Sequence, residues 1–261
     1  MTETGSQFKG WLETLVRWPS HLLFPPTCAG CRRLVSKPGT LCPKCWPTLR
    51  FIEQPWCKVM GTPFVYEVGE GLLSTEAIAS PPPFARARAA VAYTGAARRM
   101  VQSLKFGDRL ELAPWMARWM MRAGRDLVDE ADVVVPVPLH ARRFLWRRFN
   151  QSAELARALC RLSGARFCPD AVARIRPTRQ QVGLGARERE DNVRGAFRVP
   201  EDRTIEVRGR RVLLVDDVYT TGMTVAAVTK ALKKAGATDV DVLTFARVLP
   251  GDFRPDEAGS I

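Results

Sequence analysis

The segment from Arg211 to Thr224 leaves few folds open to this chain. Val212, Leu213, Leu214 and Val215 form a continuous apolar run, the signature of a parallel strand covered on both faces. Asp216 and Asp217 close that run, and Thr220 to Thr224 open a helix whose apolar positions Val225, Val228 and Leu232 recur at helical spacing. Gly236 supplies the stop, and Val240 to Ala246 reads as the next strand. The unit is strand, loop, helix, strand, which belongs to α/β proteins with a largely parallel sheet.

Chemistry follows from that layout. A helix N-terminus presents unpaired N–H groups and partial positive charge, so the turn at its start suits a phosphate. Thr220, Thr221 and Thr224 add hydroxyl donors, while Gly222 lets the main chain approach an anion closely. Two carboxylates beside a phosphate must face something else, and ribose hydroxyls or a divalent cation are their natural partners. The residues therefore predict a pocket for a 5-phosphorylated ribose. Competing readings lack their own motifs: there is no G-x-x-x-x-G-K-[ST] loop to accompany a Walker B strand, and no G-x-S-x-G elbow. Gly183-Leu-Gly185 lacks the third glycine of a dinucleotide fingerprint.

Nearer the start, Cys28-Ala-Gly-Cys31 and Cys42-Pro-Lys-Cys45 are two C-x2-C knuckles whose four thiolates can surround one tetrahedral Zn²⁺. Disulfides are the competing use, and a reducing compartment disfavours them. Cys57 is read as a lone thiol, and Cys160 and Cys168 as core or surface thiols. Before the knuckles, Phe8, Trp11, Leu12, Leu15 and Val16 share one helical face until Pro19 ends the pattern.

Further along, strands are expected at Arg88–Tyr93 and Asp132–Val137. Helices are expected at Ala96–Lys105 and Leu110–Met121, and from a cap at Asn150 to Gly164. The division predicted is an N-terminal helix and zinc ribbon over 1–64, a linker over 65–84 containing Pro81-Pro-Pro83, an α/β domain over 85–250, and a tail over 251–261. Its ligand belongs at the carboxyl ends of the strands, which sets the loop after Val137 beside the loop after Val215.

No apolar run approaches the ~20 residues that cross a membrane, and Glu13 and Arg17 interrupt the only apolar stretch near the N-terminus. A cytoplasmic address is the expectation. The net charge of +13 is uneven, with 14 arginines against 5 acids between residues 140 and 198. Such a field attracts nucleic acid or phosphorylated substrates, or else simply decorates a solvated face.

The stretch from Val212 to Thr224 resembles the phosphoribosyl pyrophosphate (PRPP) signature of type I phosphoribosyltransferases. The chain from about Leu22 to Val248 resembles the competence protein ComF family, whose members join an N-terminal zinc ribbon to a phosphoribosyltransferase domain. Asp132 to His140, Phe149-Asn-Gln151, Gln181 to Gly185, Arg189 to Phe197 and Ser103-Leu-Lys-Phe106 extend that likeness. The sequence departs from the family at Met60, where a second cysteine pair is often completed, and at Arg148, where a glycine is usual.

The resemblance implies PRPP as ligand, accompanied by Mg²⁺. Asp216 and Asp217 would orient the ribose hydroxyls, and Thr220, Thr221, Gly222, Met223 and Thr224 would hold the 5-phosphate. A loop from Leu139 through His140, Arg142 and Arg143 would hold pyrophosphate. Thr178 to Asn192 would cover the site, with Gln181 and Arg189 reaching inward, and Lys105 is a lesser candidate for contacting pyrophosphate or acceptor. It also implies a role with single-stranded DNA and the DNA-uptake machinery in natural transformation. The alternative is a phosphoribosyltransferase of nucleotide metabolism acting on a base-like acceptor, and the sequence leaves open whether transfer occurs.

Overall fold

The computed structural model describes residues 25–64, 71–107, 109–139, 149–176, 195–249 and 251. Its centre is a four-stranded parallel sheet of β1 (Arg86–Ala92), β2 (Val133–Pro136), β5 (Arg211–Tyr219) and β6 (Asp239–Arg247), in the order β1-β6-β5-β2. Helices α2 (Gly95–Phe106), α3 (Ala113–Ala123) and α5 (Gln151–Ser163) and helix α6 (Met223–Lys234) supply its cover. The short elements are α1 (Thr75–Ala79), α4 (Arg125–Asp129), and an antiparallel pair, β3 (Ala173–Arg174) with β4 (Phe197–Arg198).

The apolar run of β5 is continuous because alternate residues serve two cores. Leu213 and Val215 join Leu243, Phe245 and the apolar sides of α2, α3 and α5. Val212 and Leu214 join Val240, Val242 and, from α6, Val225, Val228 and Leu232. All of these except Val225 are fully buried, and Val225 is nearly so. Burying a side chain of this size contributes about 1.5–3 kcal/mol, so neither face tolerates a polar substitution.

Element boundaries differ from the sequence expectation in instructive ways. The sequence places the end of β5 at the two acids, but the strand continues to Tyr219, with Asp216 opposite Thr244 and Tyr219 opposite Arg247. Val218 and Tyr219 have strand-favouring side chains and β6 is long enough to pair with them. Helix α3 starts at Ala113 rather than Leu110, because Pro114 fits a first turn and Leu110–Leu112 forms a 3-10 turn ahead of it. Helix α5 runs as expected from the Asn150 cap, whose side chain accepts from the Ser152 N–H at 3.1 Å, to Gly164 at φ +76°.

At the amino ends of the strands, Arg86 and Arg211 converge on buried Asp241 at 2.8 and 3.0 Å and on Glu130 at 2.7 and 3.3 Å. These ions are matched among themselves, which ties the amino ends of three strands together. The cysteine segment packs directly on the main core: Cys28, Cys42, Cys45 and Leu49 lie in one apolar cluster with Met100, Leu104 and Phe245. The chain leaving it pairs with the outer edge of β1, where the Ile52 N–H donates to Ala90 O and the Ala92 N–H to Arg50 O. That cover removes an exposed strand edge.

Candidate functional site

Four features meet at the carboxyl ends of β2 and β5. The first is the acid pair. Asp217 is buried and Asp216 half-buried, and the Asp216 Oδ1 accepts from the Asp217 N–H at 2.9 Å. The second is the start of α5, from which Ser152 Oγ donates to Asp216 Oδ1 at 2.7 Å. Asn150 fixes that helix end to the strand, since its Nδ2 donates to Val137 O at 3.0 Å. The third is Lys105, near the end of α2, whose Nζ lies 3.1 Å from Asp217 Oδ2. The fourth is the turn into α6.

In that turn Thr220 and Thr221 are exposed, Met223 and Thr224 are half-buried, and Gly222 adopts φ +74° as the N-cap. A Cβ on Gly222 would sit 2.2 Å from Tyr219 Oη, so both the backbone angle and the space require glycine. No side chain caps α6. Its first amides therefore retain their hydrogen-bonding capacity for an anion.

Electrostatics separate the two acids. Burial, together with the charge of Asp217, pushes the Asp216 carboxyl up to about 7, against the lowering effects of Ser152 and Lys105. Nearby Tyr93 is likewise pushed up to about 12 by burial and by Asp217. Among the described residues the crevice thus brings together the Lys105 ammonium, the acid paired with it, and a second acid whose proton is held to about pH 7. Such a group of donors and acceptors suits vicinal hydroxyls better than a second anion.

Leu139 is half-buried just beyond β2. His140, Arg142, Arg143 and Arg148 lie outside the described residues, as do Gln181, Arg189 and the rest of Thr178 to Asn192, and the expected N-terminal helix. Ser152 is the residue that sequence reasoning missed. It follows directly on Phe149-Asn-Gln151, but no local signal ties it to an acid 64 residues away. A cavity of about 610 Å³ opens against the same turn, lined by Thr221, Gly222 and Met223 together with Phe84, Tyr219 and Lys230. Neither acid nor Lys105 lines it.

The cysteine cluster is a second centre. The sulfurs of Cys28, Cys31, Cys42 and Cys45 all lie within 4.8 Å of one another. A tetrahedral Zn²⁺ with bonds of about 2.3 Å sets its sulfurs about 3.8 Å apart, so the cluster fits the ion. Cys31 and Cys42 have their sulfurs 3.6 Å apart, well beyond a disulfide bond, and all seven cysteines are free. Burial raises the Cys28 thiol, but the N–H groups of Cys42, Cys31 and Gly30 outweigh it and bring it down to about 6. Cys45 is pushed up to about 12, first by burial and then by its neighbouring sulfurs, against the effect of Arg99. Cys57 receives N–H groups from Met60 at 3.3 Å and Ser74 at 3.2 Å in a similar knuckle. Among the described residues, however, only the first four cysteines form a group able to hold a metal.

A parallel sheet with an acid pair and an uncapped helix start at its carboxyl edge, joined to a four-cysteine cluster, defines the class. This is a phosphoribosyltransferase-type α/β fold carrying a zinc ribbon. The phosphoribosyl transferase domain family matches residues 153–258, and the double zinc ribbon domain family matches residues 20–77. DNA utilization protein YhgH of Salmonella typhimurium is 32% identical over 240 residues, covering 90% of this chain and 96% of that one. The Escherichia coli K12 protein of the same name matches equally. Competence protein F of Haemophilus influenzae is 34% identical over 154 residues, 57% of this chain and 66% of that one. This chain belongs to the ComF/YhgH family. Among solved structures, the allosteric regulatory enzyme of purine biosynthesis matches with a TM-score of 0.35 and 23% identity, covering 51% of this chain and 25% of that one. Glutamine PRPP amidotransferase from B. subtilis matches with a TM-score of 0.33 and 22% identity, covering 57% of this chain and 28% of that one.

Proposed function

We propose that this protein binds PRPP at the carboxyl edge of its sheet, acts in the cytoplasm, and serves DNA handling, the last being what its relatives' names say of them. The observation that carries the first part is the grouping of Asp216, Asp217, Ser152 and Lys105 beside the uncapped start of α6. The 5-phosphate would sit on the amides and hydroxyls from Thr220 to Thr224, and the ribose hydroxyls would face Asp216 and Asp217. Lys105 and the loop bearing His140, Arg142 and Arg143 would meet the diphosphate. Mg²⁺ arriving with PRPP would neutralise diphosphate charge. The domain division expected from the sequence, 1–64, 65–84, 85–250 and 251–261, remains our proposal for its organisation.

Transfer to an acceptor is the alternative reading. The bond from C1 to the diphosphate oxygen would break with both electrons leaving on oxygen, and an acceptor lone pair would close on C1. No covalent protein nucleophile is needed, because stabilising the departing charge supplies most of the acceleration. A screen of nucleobases and oligonucleotides for PRPP-dependent pyrophosphate release separates this reading from binding alone.

Millimolar PRPP with Mg²⁺ should raise the melting temperature, and Asp217→Asn should abolish most of that shift. An unchanged wild-type melting curve would count against the site. The 14 arginines of residues 140–198 favour a polyanionic partner, with single-stranded DNA and the uptake machinery as the proposed one. Oligonucleotide affinity should then fall steeply between about 50 and 200 mM salt, on the order of tenfold or more. Binding indifferent to ionic strength would rule out this electrostatic account.

A further inference from the structure

Helix α2 is held by the zinc ribbon at both ends and delivers Lys105 to the acid pair. At its start the capping hydroxyl comes from the ribbon: Thr48 Oγ1 accepts from the Ala96 N–H at 3.0 Å while donating to Cys45 O at 2.7 Å. The ribbon main chain comes so close here that a Cβ on Gly95, at φ +48°, would lie 2.4 Å from Thr48 O. One turn later Arg99 reaches into the metal cluster. Its Nε donates to Gly30 O at 3.1 Å, and its Nη2 to Cys45 Sγ at 3.4 Å. Beyond the helix, Arg109 donates to Cys28 O and Thr27 Oγ1, both at 3.2 Å.

Arg99 and Lys105 are six residues apart on one helix, about 9 Å along its axis. Met100, Val101 and Leu104 between them are fully buried, so the segment has little room to shift independently of either contact. We propose that Arg99 is a positioning residue of the sugar-phosphate site, acting through helix α2 to set Lys105 against Asp217, so that the ribbon and the site work as one unit. Arg99 itself touches no part of the acid pair in any described contact. Its guanidinium instead meets the Cys45 sulfur and the Gly30 carbonyl of the ribbon, and loss of that anchor loosens the helix at its middle. The ribbon is then more than a folding staple, because its integrity sets the placement of the Lys105 ammonium against Asp217. The proposal rests on the PRPP reading for its ligand, and its test separates the two.

The decisive experiment is a double-mutant cycle on the full-length, zinc-loaded protein with Arg99→Gln and Lys105→Met. PRPP affinity is measured by calorimetry across a Mg²⁺ series, and hydrogen exchange is followed in the peptide from Val215 to Met223. Zinc content is determined for each variant. Arg99→Gln should retain zinc, weaken PRPP about tenfold and raise the Mg²⁺ needed for binding. It should have no further effect once Lys105 is replaced by Met, and Arg99→Lys should recover part of the loss. Exchange in the peptide should rise to the same extent in both single variants and in the double variant. Should Arg99→Gln prove too unstable, Thr48→Val removes the helix cap instead and should act in the same direction. Additive losses in the double variant, or wild-type PRPP binding and exchange in zinc-loaded Arg99→Gln, would overturn the proposal. Absent PRPP binding in the wild type would sink the ligand reading alone, and the exchange cycle would still decide the coupling.

Discussion

Replacing Asp216 with asparagine tests whether the acid pair is held at an energetic cost. The wild-type carboxyl accepts hydrogen bonds from Ser152 Oγ and from the Asp217 N–H, both to Oδ1. An asparagine Oδ1 can keep both. What the variant loses is a charge that burial and Asp217 disfavour, binding its proton at about 7 instead of the ordinary 3.8. At about 1.4 kcal/mol for each pH unit between those values, ionisation in the folded state costs at most about 4 kcal/mol. Asp216 as a residue is half-buried rather than sealed from water, so screening brings the expectation to about 2 kcal/mol.

The pH dependence carries the distinguishing sign. Between about pH 4 and pH 7 the folded protein keeps a proton on Asp216 that the unfolded chain has released. Wild-type stability contributed by this group is therefore present at the acid end of the window and lost as pH rises toward 7. The Asp216→Asn variant has no such proton to lose. Melting curves of the two proteins should lie about 4–8 °C apart at about pH 8, with the variant higher, and should converge toward about pH 4. A variant less stable than wild type at the alkaline end, or a gap that ignores pH, would refute the reasoning. The ribbon thiols also titrate, but they are common to both proteins and cancel in the difference.

Gly222→Ala should destabilise the fold by about 1–3 kcal/mol, through the left-handed backbone and the close approach to Tyr219 Oη, and should weaken PRPP binding more than the stability loss accounts for. Denaturant titration with and without PRPP checks both parts. Cys45→Ala should lower zinc content from one ion per chain and reduce the melting temperature by more than about 5 °C, because the cluster sits within the main core. Full zinc retention in that variant would contradict the four-thiolate centre.

Much of the site was legible in local sequence because its parts are local. The strand, turn and helix around Asp216 to Thr224 are contiguous, and both cysteine knuckles declare themselves by spacing. Long-range facts were not legible. Nothing near Ser152 marks it as a partner of Asp216, which lies 64 residues away, since only the docking of α5 against β5 brings them together. Lys105 is a candidate from the family resemblance, but its pairing with Asp217 on another element could not be read from the sequence. Arg99 likewise looks like a surface arginine until the ribbon supplies Gly30 O and Cys45 Sγ. The length of β5 is hidden for a related reason: pairing with β6, rather than the local run of apolar residues, carries the strand through both acids to Tyr219.

A crystal of the protein soaked with PRPP and Mg²⁺ puts the central claim to the most direct test. The account predicts a phosphate on the main-chain amides between Thr220 and Thr224, with the ribose hydroxyls within hydrogen-bonding distance of Asp216 and Asp217. Ligand density elsewhere, or an empty crevice at saturating PRPP, would contradict it.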